Sequence, residues 1–209
     1  METLRGDPGY YKRRDVVSRP SLAVGLLLDV SGSMSGYMAV VEQTAAVFFQ
    51  GLRGISGVNF AAWCYTGQLA QVTLTRLCDR ELPRLCLAGV DKGGDTPSGA
   101  AIAAAKLLLE RMPEKRKLLI HFTDGRPDSA AHVLSAVRAC CDAGIHTYAI
   151  GLVRNSDMLS MQYGEGNYEA IQTVPELPQA VSSIVRKLRC APAGYGSPAT
   201  LGRWRLVAA

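Results

Sequence analysis

Residues 22–33 read Leu22-Ala23-Val24-Gly25-Leu26-Leu27-Leu28-Asp29-Val30-Ser31-Gly32-Ser33: a continuous apolar run, then an aspartate, then two serines spaced by one residue. An apolar run of this length with no alternation is the signature of a strand buried on both faces of a parallel sheet. In open parallel sheets the ligand-facing positions lie just past the carboxyl ends of the strands. Asp29, Ser31 and Ser33 are therefore placed on a functional rim by the same pattern that defines the first strand.

Working outward, residues 38–49 place apolar side chains at helical spacing and are closed by Gly51 and Gly54. Two β-rich runs, 58–65 and 69–74, flank Thr66-Gly67-Gln68, a short turn that favours an antiparallel hairpin over a crossover. Residues 79–87 read as a short helix, followed by the glycine-rich stretch 89–94. Thr96 as N-cap and Pro97 at the first helical position suit a helix over 97–111. Residues 118–122 form another buried strand that runs into Thr123-Asp124-Gly125, with Asp128 positioned to cap a helix over 129–143. A strand over 145–152 follows, then a last strand over 168–174. Thr173 and Glu176 have capping-box spacing ahead of a helix reaching about Leu188.

This alternation predicts an α/β fold: a doubly wound, Rossmann-like, mostly parallel sheet with one antiparallel edge strand and helices on both faces. Residues 21–189 form the domain, with an N-terminal extension over 1–20 and a Gly/Pro-rich C-terminal tail over 190–209. The 48% hydrophobic content over 209 residues is enough for one full core. Residues 1–15 carry charge and proline where a secretory signal needs an apolar stretch, and no run of eighteen apolar residues occurs, so the chain reads as soluble and cytoplasmic. Six cysteines without CxxC pairs read as reduced, mostly buried thiols rather than a disulfide framework or a structural zinc site.

The formal charge is +5, but residues 1–20 carry five Lys/Arg against three Asp/Glu and residues 190–209 carry two Arg and no acid. The body is close to neutral, which argues against a basic nucleic-acid face. Phe60, Trp63 and Tyr65 fall in an expected buried strand and leave no stacking platform. RNA binding is accordingly the weaker alternative, favoured only by the basic termini.

Three loops open on one rim: Asp29-Val30-Ser31-Gly32-Ser33, Gly94-Asp95-Thr96-Pro97 and Thr123-Asp124-Gly125. A hard cation such as Mg2+ takes six oxygens and keeps several waters, so hydroxyls and carboxylates from separate loops suit it. Asp29 anchors the ion directly or through water, Ser31, Ser33 and Thr96 supply neutral hydroxyls, and Asp124 holds a coordinated water and orients the hydroxyls. Mg2+ is the expected ion, with Mn2+ and Ca2+ as alternatives. Two carboxylates and one open position leave the cation attractive to an Asp or Glu of a partner protein. Asp95 and Asp128 read as turn and cap residues, and His121 as a core histidine.

The stretches LLLDVSGSM, GGDTPSGAA and FTDGRPD resemble the metal-ion-dependent adhesion site of the von Willebrand factor type A family over about residues 20–189. By this resemblance Asp29, Ser31, Ser33, Thr96 and Asp124 map one for one onto the family's metal-site positions, and the implied function is metal-dependent protein binding. Tyr10 to Arg14, GGDTPSGAAI, TDGRPD, Thr147 to Gly151 and Val174 to Pro178 are similar to the cytoplasmic branch that includes cobaltochelatase T and magnesium-chelatase D subunits. That likeness implies work alongside an AAA+ ATPase.

Catalysis by the domain itself is not expected. A phosphohydrolase with its nucleophile at Asp29 needs an acid two residues on, where Ser31 stands, and neither serine lies in a G-x-S-x-G elbow with a histidine at the rim.

Overall fold

In the computed structural model, residues 21–68, 71–87, 90, 92–152 and 156–190 are described. The proposed extension and all but the first residue of the proposed tail lie outside them. Six strands form one sheet in the order β3-β2-β1-β4-β5-β6, with β1 (Leu22–Asp29) near its centre. β2 (Val58–Gln68) and β4 (Arg116–Thr123) flank β1 in parallel, β5 (Ile145–Leu152) pairs with β4, and β6 (Tyr168–Ile171) with β5, all parallel. Among the described strands only β3 (Gln71–Cys78) runs antiparallel, paired to β2 at the edge. The expected mostly parallel sheet with one antiparallel edge strand is the one found.

Alternate residues of the central strands feed two cores. Val24, Leu26 and Leu28 of β1 pack with α1 (Met38–Leu52) and α5 (Leu177–Cys190), whereas Ala23 and Leu27 pack with α2 (Ser98–Glu110), α3 (Ala130–Asp142) and α4 (Asp157–Tyr163). Burial on both faces explains why β1 shows no polar alternation; each buried Val or Leu side chain contributes about 1.5–3 kcal/mol. Asp29 continues the α2/α3/α4 face at the carboxyl end of β1. No helix among the described residues is long and apolar enough to cross a membrane.

Several local expectations are corrected. The hairpin reverses later than Thr66 to Gln68, because β2 continues through Gln68 and β3 begins at Gln71. Residues 79–87 are not helical. The Asp79 carboxylate does accept the N–H groups of Glu81 and Leu82, at 2.9 and 2.8 Å, but Pro83 disfavours helical conformation at Leu82 and stops propagation. Thr96 does not cap α2: Pro97 occupies the cap position with ψ 54, and the helix starts at Ser98. Ser129, not Asp128, caps α3, accepting the His132 N–H. β6 ends at Ile171, three residues short of Val174. The Thr173–Glu176 pair forms as expected, at 2.6 Å between side chains, but it fronts a 3-10 turn over Val174–Glu176. The helix α4 was not anticipated in residues 157–163.

Candidate metal centre

The β1 strand delivers Asp29 into a fully buried position, and the chain then turns through a 3-10 helix over Gly32–Tyr37. The Asp29 Oδ1 accepts the Ser31 N–H at 2.9 Å, which folds the loop back over its own carboxylate. Its Oδ2 accepts the Thr123 hydroxyl at 3.2 Å, and Thr123 Oγ1 in turn accepts the Gly125 N–H at 3.1 Å. Asp124 is 7% exposed, and its Oδ1 accepts the Arg126 N–H at 3.0 Å.

The three loops are stitched together through their backbones. Gly32 N–H donates to Gly94 O and Gly93 N–H donates to Val30 O, both at 2.9 Å, while Asp95 N–H donates to Gly67 O at 2.7 Å. The Thr66 hydroxyl donates to Gly93 O. Gly94 sits at φ 78, and a Cβ there would lie 3.0 Å from Gly67 O and Thr66 Oγ1, so both backbone sign and space require glycine. On the other side, Thr96 N–H donates to Asp128 Oδ1 at 2.9 Å and Asp128 N–H to Thr96 O at 3.0 Å. Asp128 is thus a clamp on the Thr96 loop.

These ties bring four of the five expected residues into direct succession. Thr96 Oγ1 donates to Ser31 Oγ at 2.9 Å, and Ser31 Oγ lies 3.3 Å from Ser33 Oγ. Asp29 joins the row through the Ser31 backbone. Ser31 and Thr96 are buried, and Ser33 is exposed at the outer end. Asp124 is coupled to this row electrostatically: its charge raises the Asp29 carboxyl above the usual range, after burial, the larger cause. The hydrogen bonding of Ser31 to Asp29 acts in the opposite sense. Among the described residues no three His, Cys, Asp or Glu gather as a metal-holding group, so a cation at this rim depends on hydroxyls as much as carboxylates.

Met34, just past the loop, is fully buried in the α1-side core, whereas Tyr37 stays 44% exposed on the rim. His121 is a core histidine, as expected, but its partners are distant in sequence: Tyr65 Oη lies 2.8 Å from Nε2 and Tyr163 Oη 2.5 Å from Nδ1. The sequence places Asp128 at a helix cap and Tyr65 in a buried strand, not at these contacts, and gives no role to Thr123 or Tyr163. Thr123, adjacent to Asp124, and Asp128, by residue type, carry a local signal; Tyr65 and Tyr163 carry none.

A doubly wound sheet with a hydroxyl-and-carboxylate rim at the end of its central strand defines the class: the chain belongs to the von Willebrand factor type A domain family, whose match spans residues 24–174. Among curated relatives, protein NorD of Brucella suis biovar 1 is 30% identical over 112 residues, 49% of this chain and 18% of NorD; protein NorD of Brucella abortus (strain 2308) matches to the same extent. The chain therefore spans less than a fifth of the length of these relatives. Similar solved structures include the pilus adhesin SpaC of Lactobacillus rhamnosus GG, with a TM-score of 0.63 at 13% identity over 80% of this chain and 31% of SpaC. Proximal thread matrix protein 1 of the mussel byssus, with a zinc-occupied MIDAS motif, gives a TM-score of 0.62 at 16% identity over 81% of this chain and 46% of that one. Manganese-loaded Plasmodium vivax TRAP protein gives 0.55 at 18% identity over 79% and 72%. These likenesses establish a shared fold.

Proposed function

We propose that this domain holds one divalent cation through Asp29, Ser31, Ser33, Thr96 and Asp124, and uses it to bind a carboxylate on a partner protein. The observation that carries the reading is the Thr96–Ser31–Ser33 hydroxyl row beside the Asp29 carboxylate, whose ionised form burial and the nearby Asp124 charge both disfavour. Burial and the Asp124 charge both disfavour an ionised Asp29, and a +2 ion at the rim removes that conflict. Hydroxyls neutralise none of the ion's charge, so a bound cation retains electrophilicity for an incoming Asp or Glu.

Mg2+ suits the all-oxygen donor set, and Mn2+ and Ca2+ are compatible with it. The zinc and manganese forms of the two fold relatives support a divalent ion without selecting one. A binding role without catalysis fits Ser31, whose hydroxyl is engaged by Thr96 at the position where a phosphohydrolase would need an acid. The chelatase-type resemblance favours an AAA+ ATPase assembly in the cytoplasm as the setting.

The test is retention of peptides ending in Asp or Glu, and of their Asn or Gln counterparts, on immobilised domain. Retention of the acidic set with Mg2+ or Mn2+, release by EDTA and loss in Ser31→Ala support the reading. Retention indifferent to EDTA, or equal for the amides, overturns it. Binding of RNA that falls steeply with salt would favour the nucleic-acid alternative.

A further inference from the structure

The rim carries more acid than one cation offsets. Asp29, Asp95, Asp124 and Asp128 stand on its three loops or at their ends, the first and third buried, the other two exposed. A divalent ion cancels half of their formal charge, so an approaching carboxylate is still opposed unless a fixed cation also faces it. Among the described residues of these loops the basic side chains are Lys92 and Arg126. Lys92 is engaged by Glu42 of α1, 3.2 Å away. Arg126 is exposed and makes no ion pair with any described acid, although Asp124 and Asp128 are each two residues from it. It is the rim cation that the fold itself leaves unpaired.

The backbone beneath Arg126 is fixed on both sides. Its own N–H donates to Asp124 Oδ1 at 3.0 Å, and Gly125 before it, at φ 74, donates to Thr123 Oγ1 at 3.1 Å. Pro127 follows with its φ locked by the ring, and Asp128 is then bonded twice to Thr96. Arg126 thus sits at the apex of a short loop pinned at each end, and little chain entropy is lost when its side chain is engaged.

We infer that Arg126 is a second anchor for the partner, and that the partner segment is doubly acidic, with one carboxylate on the cation and another on the Arg126 guanidinium. The two cations take separate groups because their demands differ. The open position of the ion accepts one oxygen, whereas a guanidinium recognises a carboxylate best through two parallel N–H bonds to both of its oxygens. In an extended segment, side chains two residues apart share a face about 7 Å from each other, which suits two acids presented to one rim. Asp95 and Asp128 at the same rim oppose acids that approach without meeting a cation, so the arrangement selects where the second acid stands as well as that it is present.

The inference rests on the cation reading proposed above, and the experiment separates the two. Fluorescence polarisation in Mg2+, with EDTA controls, compares two dye-labelled, end-blocked pentapeptides on the wild type and Arg126→Gln: one with a single Asp, the other with a second Asp two residues on. The inference predicts that the wild type prefers the doubly acidic peptide by about fivefold, that the preference shrinks as salt is raised, and that Arg126→Gln binds the two peptides alike. If the wild type binds the two alike, or if the preference survives in Arg126→Gln, the second anchor is overturned; EDTA-sensitive binding of the single-Asp peptide then leaves the cation reading standing. If Mg2+ promotes binding of neither peptide, the cation reading itself is overturned, and the second anchor with it.

Discussion

Thr96 and Asp128 hold each other across two loops by a reciprocal pair of bonds: the Thr96 N–H donates to the Asp128 carboxylate at 2.9 Å, and the Asp128 N–H donates to the Thr96 carbonyl at 3.0 Å. The Thr96 hydroxyl is thereby left free to face Ser31. Asp128→Ala removes the side-chain half of the clamp and should cost about 1 kcal/mol of stability. Asp128→Asn, which keeps an acceptor oxygen, should cost less. Denaturant unfolding of the two variants distinguishes this clamp from a general effect of lost charge, which would make them equal.

Gly99 marks where α2 meets α3. A Cβ there would lie 2.7 Å from His132 C and Cβ and 2.9 Å from its carbonyl oxygen, mostly backbone atoms with little room to yield. Gly99→Ala should therefore destabilise the domain by about 1–3 kcal/mol, in spite of alanine's better helix propensity. Thermal unfolding checks it, and a neutral or stabilised variant would show that the helices separate more easily than their packing implies.

The central strand and the three rim loops were legible because each carries its own local signal: an unbroken apolar run in residues 22–28, and Ser, Asp and Gly at the strand ends. What escaped reading depends on contacts distant in sequence. Thr96 looks like an N-cap by residue type, yet its hydroxyl is taken by Ser31, sixty-five residues away. Tyr65 and Tyr163 look like ordinary apolar filling, and only the sheet order shows that their hydroxyls meet on His121. The short α4 was hidden by its seven-residue length, and the helix expected over 79–87 does not form because Pro83 stops it, although Asp79 accepts the Glu81 and Leu82 N–H groups as a cap would.

His121 gives the fold a dependence on acid. Burial lowers its imidazole from the ordinary 6.5 to about 3. Below pH 6.5 the unfolded chain takes up a proton that the folded protein refuses. The stability associated with neutral His121 is therefore complete above 6.5 and is lost as pH falls toward 3, at up to about 1.4 kcal/mol per pH unit. His121→Gln cannot titrate, so its stability should fall less steeply than that of the wild type between pH 6.5 and 4. Parallel profiles would contradict a buried neutral imidazole.

Cys64, Cys78, Cys86, Cys140 and Cys141 are free thiols and should separate by accessibility. Cys86 is exposed, whereas Cys64, Cys78 and Cys140 are buried, and burial pushes their thiols up to about 11, 11 and 12. Native-state alkylation mapped by mass spectrometry should modify Cys86 before Cys64, Cys78 and Cys140 and reach those three only on unfolding. Early labelling of Cys64 would mean that β2 opens locally.

The cation is the central claim, and calorimetric titration of Mg2+ and Mn2+ into metal-stripped wild type and Asp29→Asn tests it most directly. The variant keeps the size of the side chain, and its fold is verified by circular dichroism. The account predicts saturable binding at a single site in the wild type and its loss, or weakening of about a hundredfold, in Asp29→Asn. Absence of saturable binding by the wild type at millimolar metal, or equal binding by the variant, would contradict it.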